Sequence, residues 1–264
     1  MLTELFPASE RGGIRNPRCY NKPMEAFDLL DPKPTPWDFE LYHSRRAVLM
    51  AIRRVLPLLH GTVLDVGCGR MDYRPVLLAS PSKATRYVGL DLAVNTYSQP
   101  DLTWDGQTIP LPADSVDGAI ATEVLEHCPN PEIVLREVFR VLRPGTVFLL
   151  TVPFLWPLHD IPYDEYRYTP FALERLLGNA GFEKIQIRAN GGWDASLAQM
   201  IALWVRRRPK GLFAQRVLQR LALPLHNWLL KRDEAPVGFS SSTPSTMITG
   251  LSATAFKPQH APAS

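Results

Sequence analysis

Residues 63–69 read Val-Leu-Asp-Val-Gly-Cys-Gly, and no other run limits the fold as much. Apolar, β-branched residues leading straight into Gly-x-Gly describe a buried strand whose chain turns sharply at its end. Glycines there also let the backbone approach a ligand closely. The next apolar run, Tyr87-Val88-Gly89-Leu90-Asp91, ends in a carboxylate. A doubly wound nucleotide-binding sheet places at that position the acid that accepts hydrogen bonds from ribose hydroxyls. Around these two runs, short strand-like segments at 62–66, 86–90, 116–122, 146–152, 182–187 and 247–256 alternate with amphipathic helical ones at 39–59, 131–142 and 170–179. His60-Gly61 reads as the stop signal of the first helix. Such alternation predicts a parallel sheet covered by helices on both faces.

Composition narrows the function classes. With 264 residues, 45% apolar and 21% charged, the chain can bury one α/β core with additions. The formal net charge of +3 does not mark a nucleic-acid binder, and no nucleic-acid partner is expected. Cys19, Cys68 and Cys128 form no CxxC pair and no zinc spacing with histidine, so neither a disulfide framework nor a metal site is expected. The early acids and the lack of a continuous apolar run at the N-terminus predict no signal peptide. The most apolar stretch, 195–205, falls short of the roughly 20 residues that span a bilayer. A cytoplasmic protein is expected, with peripheral contact at the inner face of the membrane if the basic segment described below touches lipid.

The glycine turn alone permits a nicotinamide dinucleotide. Two features oppose it: the third glycine of GxGxxG is missing from Gly67-Cys68-Gly69-Arg70-Met71-Asp72, and Asp65 would repel a pyrophosphate. A cationic or zwitterionic ligand suits Asp65 better, and S-adenosylmethionine (SAM) carries a sulfonium and an ammonium without phosphate. Four ordered blocks, LDVGCG, VGLDL, IPLPADSVDGAIATEVLEH and LREVFRVLRPG, together resemble the class I SAM-dependent methyltransferases of the type 11 kind over residues 59–187. The resemblance implies a Rossmann-like, doubly wound sheet of seven strands, mostly parallel with the last antiparallel, plus a helical C-terminal insertion. With the Pro-, Gly- and Arg-rich start and the basic helical pattern after 195, the chain divides into an irregular leader (1–37), a SAM-binding domain (38–190), a basic helical insertion serving as lid or membrane face (191–246), and a last strand with tail (247–264). The resemblance also implies roles. Asp65, Gly67 and Gly69 line the methionine moiety, Asp91 holds the ribose, and Leu92 flanks the adenine. Trp104 and Asp105 stand where an acid meets the adenine amino group, and Glu123 lies beside the cofactor. Arg70 departs from the third glycine common among such proteins.

The acceptor side is less specific. Residues 153–170 pack Trp156, His159, Asp160, Tyr163, Asp164, Glu165, Tyr166, Arg167 and Tyr168 into a proline-punctuated loop after a strand that ends at the ligand edge. The run PLHDIPYDEYRYTPFALERLL resembles a block in bacterial methyltransferases among polysaccharide- and sugar-modifying enzymes, which implies a small-molecule or glycan-type acceptor methylated on oxygen or nitrogen. His159 is the first candidate base and His127 the second; His159 reads equally as a loop residue satisfied by Asp160 or Asp164. Trp156, Asp160, Tyr163 and Arg167 are candidate acceptor contacts, with Arg167 also suited to pairing with Asp164 or Glu165. Loop anchoring suits at least two of the three tyrosines. Residues 196–232 hold no acid but Arg206, Arg207, Arg208, Lys210, Arg216, Arg220, Lys231 and Arg232 among apolar residues. That pattern fits a lid with a solvated basic face or an anionic membrane contact. Two rival classes stand beside the enzyme: a non-catalytic SAM-binding scaffold recruited through this basic segment, and a nicotinamide-dependent oxidoreductase.

Overall fold

The structure, a computed structural model, describes residues 30–35, 38–94, 98–209, 211–243 and 245–259. The expected leader (1–37) and Cys19 lie largely outside these residues. Seven strands form one sheet: β1 (His60–Val66), β2 (Lys83–Leu92), β3 (Leu102–Trp104), β4 (Gly118–Thr122), β5 (Val147–Pro153), β6 (Glu183–Ala189) and β7 (Gly250–Phe256). Their order is β3-β2-β1-β4-β5-β7-β6. The first five strands pair in parallel, and β7 runs antiparallel to both β5 and β6. Chain progression reverses between β1 and β4, so the strand ends there form the crevice where open α/β sheets bind ligands.

Alternation along each strand builds two cores. Val63, Tyr87, Ile120, Val147 and Leu149 join Val48, Ala51, Ile52 and Val55 of α1 (Phe39–Val55) on one face, with Leu77 of the short α2 (Arg74–Leu77). Leu64, Val66, Val88, Leu90, Ala121, Phe148 and Leu150 face the other way. They pack with Val134, Leu135 and Val138 of α3 (Pro131–Val141) and with Leu173 and Leu177 of α4 (Pro170–Asn179). Burial on both faces explains why the strands read as unbroken apolar runs. At the start of α4 the Thr169 side chain accepts the Ala172 amide, with Pro170 at the first helical position.

The structure corrects several boundaries. The first helix ends at Val55 rather than 59, because Pro57 has no amide to continue the ladder and Leu56–Leu58 tightens into a 3-10 turn. His60-Gly61 is therefore no helix stop; both belong to β1, whose register with β2 shifts between Gly61 and Thr62. Val116 makes only an isolated bridge to Leu142, so β4 starts at Gly118. β7 starts at Gly250 rather than 247, and the three-residue β3 was not foreseen.

The basic segment forms two helices, α5 (Trp193–Arg207) and α6 (Leu212–Arg232). Asp233, just past α6, accepts the amides of Gly192 and Ala195 at 2.8–3.0 Å. One carboxylate thus caps the positive end of α5 and ties the end of α6 to the start of α5. α5 docks on α1 through Glu40, which pairs with Arg206 and Arg207 and whose carbonyl accepts from Gln199. Among the described residues no helix is long and apolar enough to cross a membrane.

Candidate active site

Behind β1 the chain turns through Gly67 and Gly69, both with positive φ (67° and 51°). The Gly67 and Cys68 amides donate to the Leu90 carbonyl at the end of β2. A Cβ on Gly67 would sit 2.5 Å from Val124 Cγ2, whereas one on Gly69 would meet nothing within 4 Å among the described residues. The first glycine is thus dictated by packing against the β4 end, and the second borders open space. Asp91 accepts the Gly69 amide at 2.9 Å on one oxygen and the Leu92 amide at 2.7 Å on the other. Trp104 pairs with Leu92 at the neighbouring strand end. Asp105 is exposed, and its Oδ1 accepts the Gln107 and Thr108 amides, a turn role that leaves its other oxygen to a ligand.

Asp65 is buried on the α1 face and accepts the Tyr87 hydroxyl at 2.6 Å, while its Oδ1 has no partner among the described residues. Burial drives its pKa up to about 7, with Asp91 adding to the rise and the Tyr87 bond opposing it. The Arg74 guanidinium lies over the Tyr87 ring at 4.6 Å. At the end of β4, Glu123 adopts φ 56°, a left-handed conformation costing a non-glycine residue about 1 kcal/mol. Its amide is held by the Thr151 carbonyl of β5. Burial raises the Glu123 pKa, and Arg45 of α1 and Arg167 partly offset this.

Beyond β4 and β5 the side chains converge. The Asp164 side chain is nearly inaccessible and takes two bonds from Arg167, at 2.6 and 2.8 Å. It also accepts the His159 amide at 3.0 Å and lies 3.1 Å from His159 Nδ1. Burial works against the charged form of Asp164, but these donors outweigh it and hold its pKa at about 2. His159 is lowered by burial and then by neighbouring His127, whose ring centroid lies 4.7 Å away. His127 Nδ1 is 3.0 Å from the Tyr163 carbonyl. Between β4 and the loop sits Glu126, with no exposed surface; burial first and Glu123 second raise its pKa well above the usual range.

The geometry sorts the candidates. Asp65, Gly67, Gly69, Asp91, Leu92, Trp104, Asp105 and Glu123 all lie at the ends of β1 to β4 or in the loops that follow. Of the loop residues, Arg167 is spent on Asp164 and on the carbonyls of Tyr166, Trp156 and Pro157, which makes it a loop clamp. Tyr166 and Tyr168 anchor the loop through the Pro129 and Leu125 carbonyls. Asp160 and Tyr163 are exposed, and Trp156 lies under the Arg207 guanidinium at 5.7 Å. Glu126, Arg45 and Tyr87 were not singled out from sequence. Only Glu126 carried a local signal, as the acid directly before His127.

A family model described as a methyltransferase domain matches residues 41–187, more than half of the chain. This chain belongs to the class I SAM-dependent methyltransferases. Its cofactor is SAM, and the groups present fit that ligand: a glycine turn bordering open space, a carboxylate at the end of β2, and a buried carboxylate with an uncompensated oxygen beside it. The fatty-acid O-methyltransferase of Mycolicibacterium smegmatis is 30% identical over 163 residues, covering 58% of this chain and 53% of that one. Another protein of that organism is 34% identical over 135 residues, covering 46% and 51%. The chain thus spans about half the length of these curated relatives. Among solved structures, a SAM-dependent methyltransferase from Thermotoga maritima superposes with a TM-score of 0.53 at 13% identity, covering 84% of this chain and 93% of that one. One from Archaeoglobus fulgidus gives 0.50 at 17% identity, covering 83% and 98%. At these identities the likeness concerns the fold.

Proposed function

We propose that this methyltransferase transfers the SAM methyl group to a hydroxyl oxygen of a small-molecule or glycan-type acceptor. The convergence of Glu126, His127 and His159 beyond the strand ends, beside the cofactor crevice, carries this reading. In it Asp91 receives the ribose hydroxyls, Leu92 and Trp104 flank the adenine, Asp105 meets its amino group, and Asp65, Gly67 and Gly69 line the methionine end beside Glu123. When bound, SAM supplies a methyl carbon activated by its sulfonium for in-line displacement. The protein's share is mainly positioning. The clamp of Asp164 and Arg167 fixes the loop so that His159 faces the acceptor with its imidazole oriented, and acceptor activation runs through that residue. The O-methylating relative supports oxygen over nitrogen.

One observation favours an acceptor presented at an anionic membrane. α5 exposes Trp193, Leu197, Met200 and Trp204, and α6 exposes Phe213, Val217, Leu221, Leu225 and Trp228, at helical spacing among arginines. Solvating so much apolar surface is unfavourable, and a basic apolar face suits a lipid interface.

Calorimetric titration with SAM, S-adenosylhomocysteine and NAD tests the cofactor reading. Binding of the first two near −8 kcal/mol, roughly micromolar, with none of NAD, is expected. Asp91→Ala should weaken SAM by about 2 kcal/mol, roughly 30-fold. SAM binding with no turnover on any acceptor, unchanged by His159→Asn, would leave a scaffold instead.

A further inference from the structure

We propose that Glu126, His127 and His159 form a binding site for a first-row divalent transition-metal ion. One donor atom from each lies within 4.8 Å of those of the other two. His127 Nε2 is 3.7 Å from Glu126 Oε1, too far for a hydrogen bond. Metal bonds of 2.0–2.2 Å set ligand atoms roughly 3 to 4 Å apart around a common ion, so small side-chain rotations close the triad.

Two independent observations point to an ion rather than a chance cluster. The Glu126 side chain is fully buried, and neither carboxylate oxygen has a hydrogen-bond partner among the described residues. Burying a carboxylate without partners is costly, and such groups persist when paired or when they coordinate a metal. Each histidine is also oriented through its Nδ1. His127 Nδ1 reaches the Tyr163 carbonyl and His159 Nδ1 the Asp164 carboxylate. An imidazole that donates from Nδ1 presents the Nε2 lone pair, and a carbonyl or carboxylate behind the ring is the usual support of a ligating histidine. Arg167 holds Asp164 in turn. Two imidazoles and one carboxylate select zinc, iron, cobalt or manganese over magnesium or calcium. Three protein ligands leave coordination positions open for an acceptor oxygen. The ion site uses the same three side chains as the methyl-transfer reading and gives that reading an acceptor class, oxygen ligands such as hydroxyls, with His159 acting through the ion it holds.

The test uses the full chain, stripped with chelator and titrated with Co²⁺ while its visible absorption is followed. Wild type and the control His60→Asn, at an exposed residue of β1, should take up one equivalent with a saturable d–d band that Zn²⁺ displaces. Glu126→Gln and His159→Gln should lose that band, and Asp164→Asn should weaken binding roughly 10- to 100-fold. Glu126→Gln is isosteric and removes a buried carboxylate, so its metal-free unfolding temperature should equal or exceed wild type; lost binding then is not lost folding. No saturable band in wild type, or an unchanged band in both ligand variants, overturns the site and leaves Glu126 as an acid kept neutral by burial. SAM calorimetry on the same samples separates the two ideas. SAM binding without cobalt uptake removes only the ion, and cobalt uptake without SAM binding removes only the cofactor assignment.

Discussion

The two ends of the crevice are built by different means. At β1 and β2 the turn is fixed by amides bonded across the two strand ends, the Gly67 amide to Leu90 O and the Gly69 amide to Asp91, with the Asp65 and Asp91 carboxylates beside it. At β4 and β5 they are ionisable side chains that need one another, with Asp164 serving His159 and Arg167 at once and Glu126 buried between. The first end is made of backbone geometry and tolerates few residues at few positions. The second is a network in which each charge depends on partners brought in by tertiary structure. In the function proposed above, the former meets the cofactor and the latter the acceptor.

Breaking the backbone end should have the largest effect on SAM binding. Gly67→Val combines an unfavourable φ with a Cβ 2.5 Å from Val124. It should cost about 3 kcal/mol or more of stability and abolish SAM binding, measured by urea unfolding and calorimetry; near-wild-type values would mean the turn is not the rigid part. Next is Asp65, whose folded pKa near 7 stands above its unfolded value. Burial favours the protonated form. Its contribution is therefore fully present below about pH 4 and lost as pH rises through 7. Asp65→Asn should match wild type at pH 4 and exceed it above pH 7 by on the order of 4 kcal/mol in the absence of SAM. A pH-independent difference would show that Asp65 does not titrate there.

On the network side, Asp164→Asn removes a carboxylate that serves two residues. A stability loss of about 3 kcal/mol and a drop in kcat are expected, with SAM affinity unchanged. Equal loss of SAM affinity would mean the two ends are one unit. The smallest effect on stability belongs to Phe213→Ser with Leu221→Ser, at side chains 83% and 70% exposed. Stability should move by less than about 0.5 kcal/mol per site, while co-sedimentation with anionic vesicles falls. Unchanged sedimentation removes the membrane reading.

The same contrast sets what was legible in the chain. Strand ends and glycines are local signals: Gly67, Gly69 and Asp91 lie where the spacing put them, and the cofactor class came from the missing third glycine, Asp65 and the resemblance of four ordered blocks together. Pro57, which ends α1, stands in plain sequence, although the His60-Gly61 signal carries the expected helix on to 59. The three residues of β3 are too few for periodicity to register. Glu126 read as one acid beside a histidine, because its burial involves the loop at 153–170, whose Glu165 and Tyr166 amides bond its carbonyl, and not neighbours in sequence. Arg45 acts on Glu123 through its charge from a helix far earlier in the chain, and no spacing rule links them.

β7 lies between β5 and β6. Apart from an isolated bridge of Arg188 to Val237, strand β6 therefore has no sheet neighbour until residues 250–256 have been synthesised and threaded into place, while β1 to β5 can pair earlier. Until then β5 presents a bare edge, with α5 and α6 between it and its partner in the chain. Productive folding thus depends on a late, long-range pairing of the kind that slows folding and leaves an edge open to wrong partners.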